Sequence, residues 1–162
     1  MYIAEFHFFN NNFEKALNGD STISINDMGD TIIQFHKGFL ELSNEYSSTP
    51  SGNLASYYAG ICQMNLSQYE KAIISLNDFS TENHILHCLS NGLIGDANRE
   101  LGDLDKAMKY YVKASEDYTN NFTTPYFLMK QAQINEQNQN YELAKDIYLT
   151  IKKDYPDSKE GL

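Results

Sequence analysis

Tyr69-Glu70-Lys71-Ala72-Ile73 decides the fold, because the phrase is written again as Leu104-Asp105-Lys106-Ala107-Met108 and as Tyr141-Glu142-Leu143-Ala144-Lys145. The three alanines are spaced by 35 and 37 residues, and a fourth copy, Phe13-Glu14-Lys15-Ala16-Leu17, stands near the N-terminus. A period of this length marks a helical solenoid, built from units that bury their apolar faces only by stacking. Such arrays work through binding surfaces rather than through active sites. Twelve residues before each alanine lies another small residue: Gly60, Gly95, Ala132 and, in the first copy, Ala4. Two helices that cross closely need small side chains where their backbones approach, so each unit reads as a helix pair. Tyr111 and Ala114 follow Ala107, and Tyr148 and Ile151 follow Ala144, at the spacing of a buried helical face. Pro156 then stops the last helix.

These residues resemble the tetratricopeptide repeat (TPR) family, whose unit of about 34 residues is a helix–turn–helix. From Cys88 the chain supplies Ile94, Gly95, Gly102, Leu104, Ala107, Tyr111 and Ala114. From Pro125 it supplies Ala132, Tyr141, Ala144, Tyr148 and Pro156, and from Asn53 it supplies Gly60, Tyr69 and Ala72. It departs from the family at the tryptophan-like position, which is Ser56, Asn91 and Leu128 here. The resemblance implies an all-α, TPR-type α-solenoid of antiparallel helix pairs, with about nine helices in three full repeats and a partial N-terminal one.

The organisation expected is a single TPR domain over residues 1–162: a partial repeat at 1–18, a loop at 19–30, a single helix at 31–50, and repeats at 53–87, 88–122 and 125–158. Helices are expected near 2–10, 12–18, 31–47, 52–65, 68–79, 84–100, 103–118, 125–137 and 140–154. Ser67 with Glu70 reads as a capping box, Thr124-Pro125 as an N-cap with proline at the first helical position, and Asp103 as a further cap. The glycines and small polar residues of 18–30 argue for a loop with a short extended piece.

Composition narrows the function. With 22 acidic against 12 basic residues the formal charge is −10, and no basic stripe exists to meet phosphates, so no nucleic-acid partner is expected. No apolar run is long enough to span a membrane. Met1-Tyr-Ile-Ala-Glu-Phe-His lacks the basic start and long apolar stretch of a signal peptide. The first helix begins without its opening turn, which suggests a segment upstream. No glycine-rich phosphate loop, Gly-x-Ser-x-Gly, His-Glu-x-x-His or Cys-x-x-Cys is present, so neither catalysis nor a cofactor is expected. His84, His87 and Cys88 fall within one helical turn, but zinc wants a fourth ligand, so packing is the expected role and no metal is assigned. Cys62 is expected as a buried free thiol.

In TPR proteins the first helix of each pair lines a concave groove. By that resemblance the groove here would present Leu54, Tyr57, Ile61 and Met64, then Asp96 and Arg99, then Tyr126, Met129 and Gln133. Family members that grip a C-terminal carboxylate use lysine and asparagine where this chain has Tyr57 and Ile61, Gly92 and Asp96, Met129 and Gln133, so no carboxylate clamp is expected. Tyrosine and methionine suit a partly apolar peptide or helix. Arg99, the lone cation among these positions, is expected to pair with Glu100 or Asp96. Leu143 and Ile147 on the last helix are expected to be left uncovered. They give the alternative reading, a structural homodimer whose groove is idle.

A narrower resemblance rests on Leu54-Ala-Ser-Tyr-Tyr-Ala-Gly-Ile-Cys62, the run from Gly95 to Ala107, Asn121-Phe-Thr-Thr-Pro-Tyr-Phe127 and Lys153-Asp-Tyr-Pro-Asp-Ser158. These are similar to small bacterial TPR proteins of the Bacteroidetes type, which commonly carry an N-terminal membrane anchor. That implies an adaptor or chaperone-like module of the bacterial cell envelope, binding a protein or peptide partner.

Overall fold

The computed structural model describes residues 2–162, which form two compact units dividing between Ser80 and Thr81. The first unit holds α1 (Tyr2–Phe9), α2 (Phe13–Asn18), β1 (Asp20–Ile25), β2 (Thr31–His36), α3 (Phe39–Glu45), α4 (Pro50–Asn65) and α5 (Tyr69–Asn77). The second holds α6 (His84–Glu100), α7 (Leu104–Glu116), α8 (Thr123–Gln137) and α9 (Tyr141–Asp154). Helix pairs therefore dominate both units, as the repeat phrase requires.

The small residues sit where the helices cross. A methyl group on Gly95 would stand 2.6 Å from the Tyr111 ring, so α7 presses its tyrosine directly onto the α6 backbone. Ala72, Ala107 and Ala144 are all buried, as are Ala4 and Ala16. In the first unit the core is Ala4, Ala16, Leu17, Phe39, Ala55, Ala59 and Cys62, closed by a Phe39–Tyr58 stack at 5.0 Å and by the Phe8 edge on Tyr58 at 4.9 Å. In the second it is Cys88, Ala107, Tyr111, Ala114, Phe127 and Ile134. Each of these rings contributes roughly 2–3 kcal/mol when removed from water.

One turn joins the two helices of every pair. Asn11, Ser67, Gly102 and Gln139 all take left-handed φ, between 57° and 80°. The next N–H reaches back five residues each time, from Asn12 to His7 O, Gln68 to Gln63 O, Asp103 to Asn98 O and Asn140 to Asn135 O, at 2.8–2.9 Å. This is the bond that closes a helix C-terminus with a left-handed residue. Ser67 is thus the left-handed residue of its turn, and the capping box expected there does not form: Gln68 precedes the helix with no side-chain cap. Asp103 does cap, its side chain accepting from Lys106 N at 3.1 Å. At α8 the cap lies earlier than expected. Asn120 Oδ1 accepts from Phe122 N and Thr123 N at 2.9 and 2.7 Å, while Thr124 donates its hydroxyl to Ser115 O.

The largest departure lies at 19–47. The loop expected over 19–30 and the helix expected over 31–47 are instead an antiparallel hairpin followed by the short helix α3. Asp20 pairs with His36, Ile23 with Ile33 and Ile25 with Thr31. Thr31-Ile-Ile-Gln-Phe-His36 is rich in β-branched and aromatic residues, which favour a strand once a partner strand is present. The tip is locked by Asn26, whose side-chain oxygen accepts from Met28 N at 3.0 Å and Asp30 N at 2.8 Å, with Gly29 left-handed. At the neck Gly38 abuts the backbone of Leu17 and Gly19, leaving no room for a side chain.

Candidate functional site

In the second unit α6 and α8 meet at Gly92, where any side chain would collide with the Phe127 ring. That close approach sets Asp96 of α6 opposite Lys130 of α8. The Lys130 ammonium donates to Asp96 Oδ1 at 2.7 Å, and the buried Tyr111 hydroxyl of α7 donates to the same oxygen at 2.6 Å. Lys130 also stands 5.2 Å from the centre of the Tyr126 ring and 5.8 Å from that of Tyr111, within cation–π range. One carboxylate therefore ties three helices together. Burial, and then the Asp96 acceptor, push the Tyr111 phenol far above its ordinary pKa, with Arg99 opposing part of the rise. Burial acts to lower the Lys130 pKa, but Asp96 and Tyr126 outweigh it and hold the ammonium above its usual value.

The pairing expected of Arg99 is not found. Asp96 is taken by Lys130 and Tyr111, and among the described residues Arg99 makes no ion pair with Glu100 or Asp96. It stands in the last turn of α6, where a cation suits the negative end of the helix. Lys130 itself was not singled out from the sequence. The signal available was its place four residues after Tyr126, which puts both on one helix face.

Beside this cluster lies a cleft of about 510 Å³, lined by Leu89, Asn121, Phe122 and Tyr126 on one side and by Asp157–Glu160 on the other. The chain after α9 turns back to form that second wall, held by Ser158 and Gly161 bonding to Tyr155 O and Ser158. Phe122 is 70% exposed and Tyr126 41% exposed. Of the other groove residues on α8, Met129 is half-buried and Gln133 exposed. On α9, Leu143 is exposed and Ile147 half-buried.

In the first unit the expected lining residues behave differently. Tyr57 is buried, its ring centre 4.8 Å from that of Phe79 and its phenol pKa raised by that burial, so it packs and does not present its face to a groove. Leu54, Ile61 and Met64 on the same helix are half-buried.

The His84, His87 and Cys88 cluster packs. His84 stacks on Tyr118 at 3.9 Å, His87 pairs with Asp117 at 2.9 Å, and the Cys88 thiol points at Tyr118 O. No group of three metal-ligating side chains converges among the described residues, and no helix there is long and apolar enough to cross a membrane.

Two matches to known family models agree with this geometry. Residues 90–116, the α6–α7 pair, match one tetratricopeptide repeat model, and residues 126–158, the α8–α9 pair with its closing turn, match a second. No curated protein sequence gives a significant match. Tetratricopeptide repeats generally act as non-catalytic modules for protein–protein interaction. Helix pairs of matching phase and the two repeat matches together support the tetratricopeptide repeat family for the second unit, over residues 90–116 and 126–158.

Proposed function

We propose that this protein is a non-catalytic interaction module, an adaptor or chaperone-like component of the bacterial cell envelope, that holds a peptide or helix of a partner on the α6–α8 face. The observation that carries this reading is the cleft beside the Asp96–Lys130 pair, where exposed Phe122 and Tyr126 stand with Leu89 on a rigid base. Tyr126, whose ring stands 5.2 Å from Lys130 and edge-on to Phe127, offers rigid contact area at little entropic cost, which is what a peptide groove needs. Lys130 is already satisfied by Asp96, so the ligand's main contribution is apolar, with amide and charged groups at the rim.

Panning a random-peptide display library on the protein tests this. Enriched peptides should share one or two bulky apolar residues. By fluorescence anisotropy they should lose about tenfold or more in affinity to a Phe122→Asp/Tyr126→Asp variant of unchanged helicity, as expected when an anchor contact worth roughly 1.4 kcal/mol is removed. Failure to enrich any peptide, or equal binding by the variant, would sink the reading. Fractionation of the native cells tests the envelope assignment separately.

A further inference from the structure

The β1–β2 ribbon carries an apolar face that its own unit does not cover. Residues paired across the strands point to the same side, so Ser21, Ile23 and Ile25 share a face with Thr31, Ile33 and Phe35. On that face Ile23 is 70%, Ile25 74%, Ile33 54% and Phe35 80% exposed. The ribbon is tied to the helices at its base, where Asp20 accepts from Lys15 Nζ at 3.0 Å and meets His7 Nε2 at 3.1 Å. A two-stranded ribbon in water is marginally stable by itself, and an apolar face needs a cover.

We infer that this face is the contact between two copies of the chain, packed face to face about a two-fold axis with their ribbons antiparallel. Charge selects a second copy. The chain carries a formal charge of −10, so two copies repel over most of their surface, yet Ser21–Asn26 and Thr31–His36 hold no Asp, Glu, Lys or Arg. The ribbon is thus a place where two acidic molecules can meet without burying like charges. Asp27 and Asp30 stand at the tip. An antiparallel arrangement sends the two tips to opposite ends and keeps those four carboxylates apart. Composition agrees, since a patch of isoleucines and one phenylalanine can pack against a copy of itself, as an isologous contact demands. Area sets the strength. The four side chains expose roughly 500 Å² per copy, so the pair would bury about 1,000 Å², the lower limit for a specific interface. The dimer is therefore of micromolar strength and reversible. It is independent of the α6–α8 cleft and stands or falls without it.

Sedimentation velocity on the whole chain, from about 1 to 200 μM, spans the dissociation constants such an interface allows. The wild type should pass from monomer to dimer across that range. An Ile23→Lys/Phe35→Asp variant should stay monomeric throughout with unchanged far-ultraviolet circular dichroism. A chain with residues 20–37 excised and Gly19 joined to Gly38, which already abut, should also be monomeric, and this guards against misfolding of the point variant. Ile147→Asp on α9 should dimerise like the wild type. A wild type that is monomeric at the highest concentration, or a dimer that survives in the hairpin variants, overturns the inference. So does a monomeric wild type that binds a different protein through this face.

Discussion

Replacing Asp96 with alanine should destabilise the second unit by about 2–4 kcal/mol. The side chain has two dependents. The Tyr111 hydroxyl is wholly buried and would lose its acceptor, which costs about 1–3 kcal/mol for a buried donor left unmet. Lys130 would lose a charge-assisted bond worth about 1.5–3 kcal/mol. Its side chain keeps 18% exposure and can swing toward water, so the lower end applies. Urea unfolding followed by circular dichroism measures the loss, and a cycle with Tyr111→Phe apportions it. Tyr111→Phe alone should cost about 1 kcal/mol, and close to nothing in the Asp96→Ala background, a coupling of about 1 kcal/mol. The pH dependence has a definite sign. The Lys130 pKa is raised above its unfolded value of 10.5, so the contribution of the pair is fully present below that pH and fades as pH rises through the folded pKa. The Asp96→Ala deficit should accordingly be flat through neutrality and shrink above pH 10.5. A deficit under about 0.5 kcal/mol, or a Tyr111→Phe cost that is the same in both backgrounds, would refute the claim that one carboxylate binds three helices.

The shared turn makes two substitutions move in opposite directions. Gly102→Ala puts a side chain on a residue with φ of 80° and open space around it, a purely conformational penalty of about 1 kcal/mol. Gln139→Gly relieves the same strain at φ of 63° and should stabilise by about 0.5 kcal/mol after the entropy of the unfolded glycine is set against it. Thermal melts should shift down for the first and up for the second, and shifts of one sign would contradict the motif. The cysteines should be silent. Both are buried and free, and burial pushes the Cys62 thiol up to about 12, so a disulfide reagent at mildly alkaline pH should titrate no thiol in the folded protein and both in denaturant. Rapid labelling of the native chain would show that the α4 packing opens.

The helix pairs were legible because sterics wrote them into the sequence: Gly95 and Ala107 are small for the sake of a crossing, whatever else the repeat does. The turns were less so. Gly102 and, more weakly, Asn11 announce a left-handed residue, whereas Ser67 and Gln139 are placed there by a backbone bond that asks little of the side chain. Ser67 thus passed for a cap. The hairpin escaped because neither face of the ribbon meets the helical core, so no strict polar–apolar alternation was imposed on Thr31–His36, and adjacent Ile32 and Ile33 could pass for a helical face. Its readable mark was the pair of β-branched runs flanking Asp27-Met28-Gly29-Asp30. At the site, chain position could name Asp96 and Tyr126 as neighbours of a groove. It could not show that Lys130 takes Asp96 from Arg99, because that choice depends on how closely Gly92 lets α8 approach.

Gln131 shows what the second unit cannot do. Its buried amide on α8 donates to Tyr111 O at 3.2 Å and to Ser115 Oγ at 2.8 Å on α7, beside the Lys130 bond to α6. Peeling α8 and α9 away would break the Gln131 bonds to Tyr111 O and Ser115 and the Lys130 bond to Asp96 at once. Independent stacked repeats fray from an end, one pair at a time. These two are latched together, so amide protons of α7 and α8 should exchange through a single shared opening, and a half-melted intermediate has no favourable place to rest.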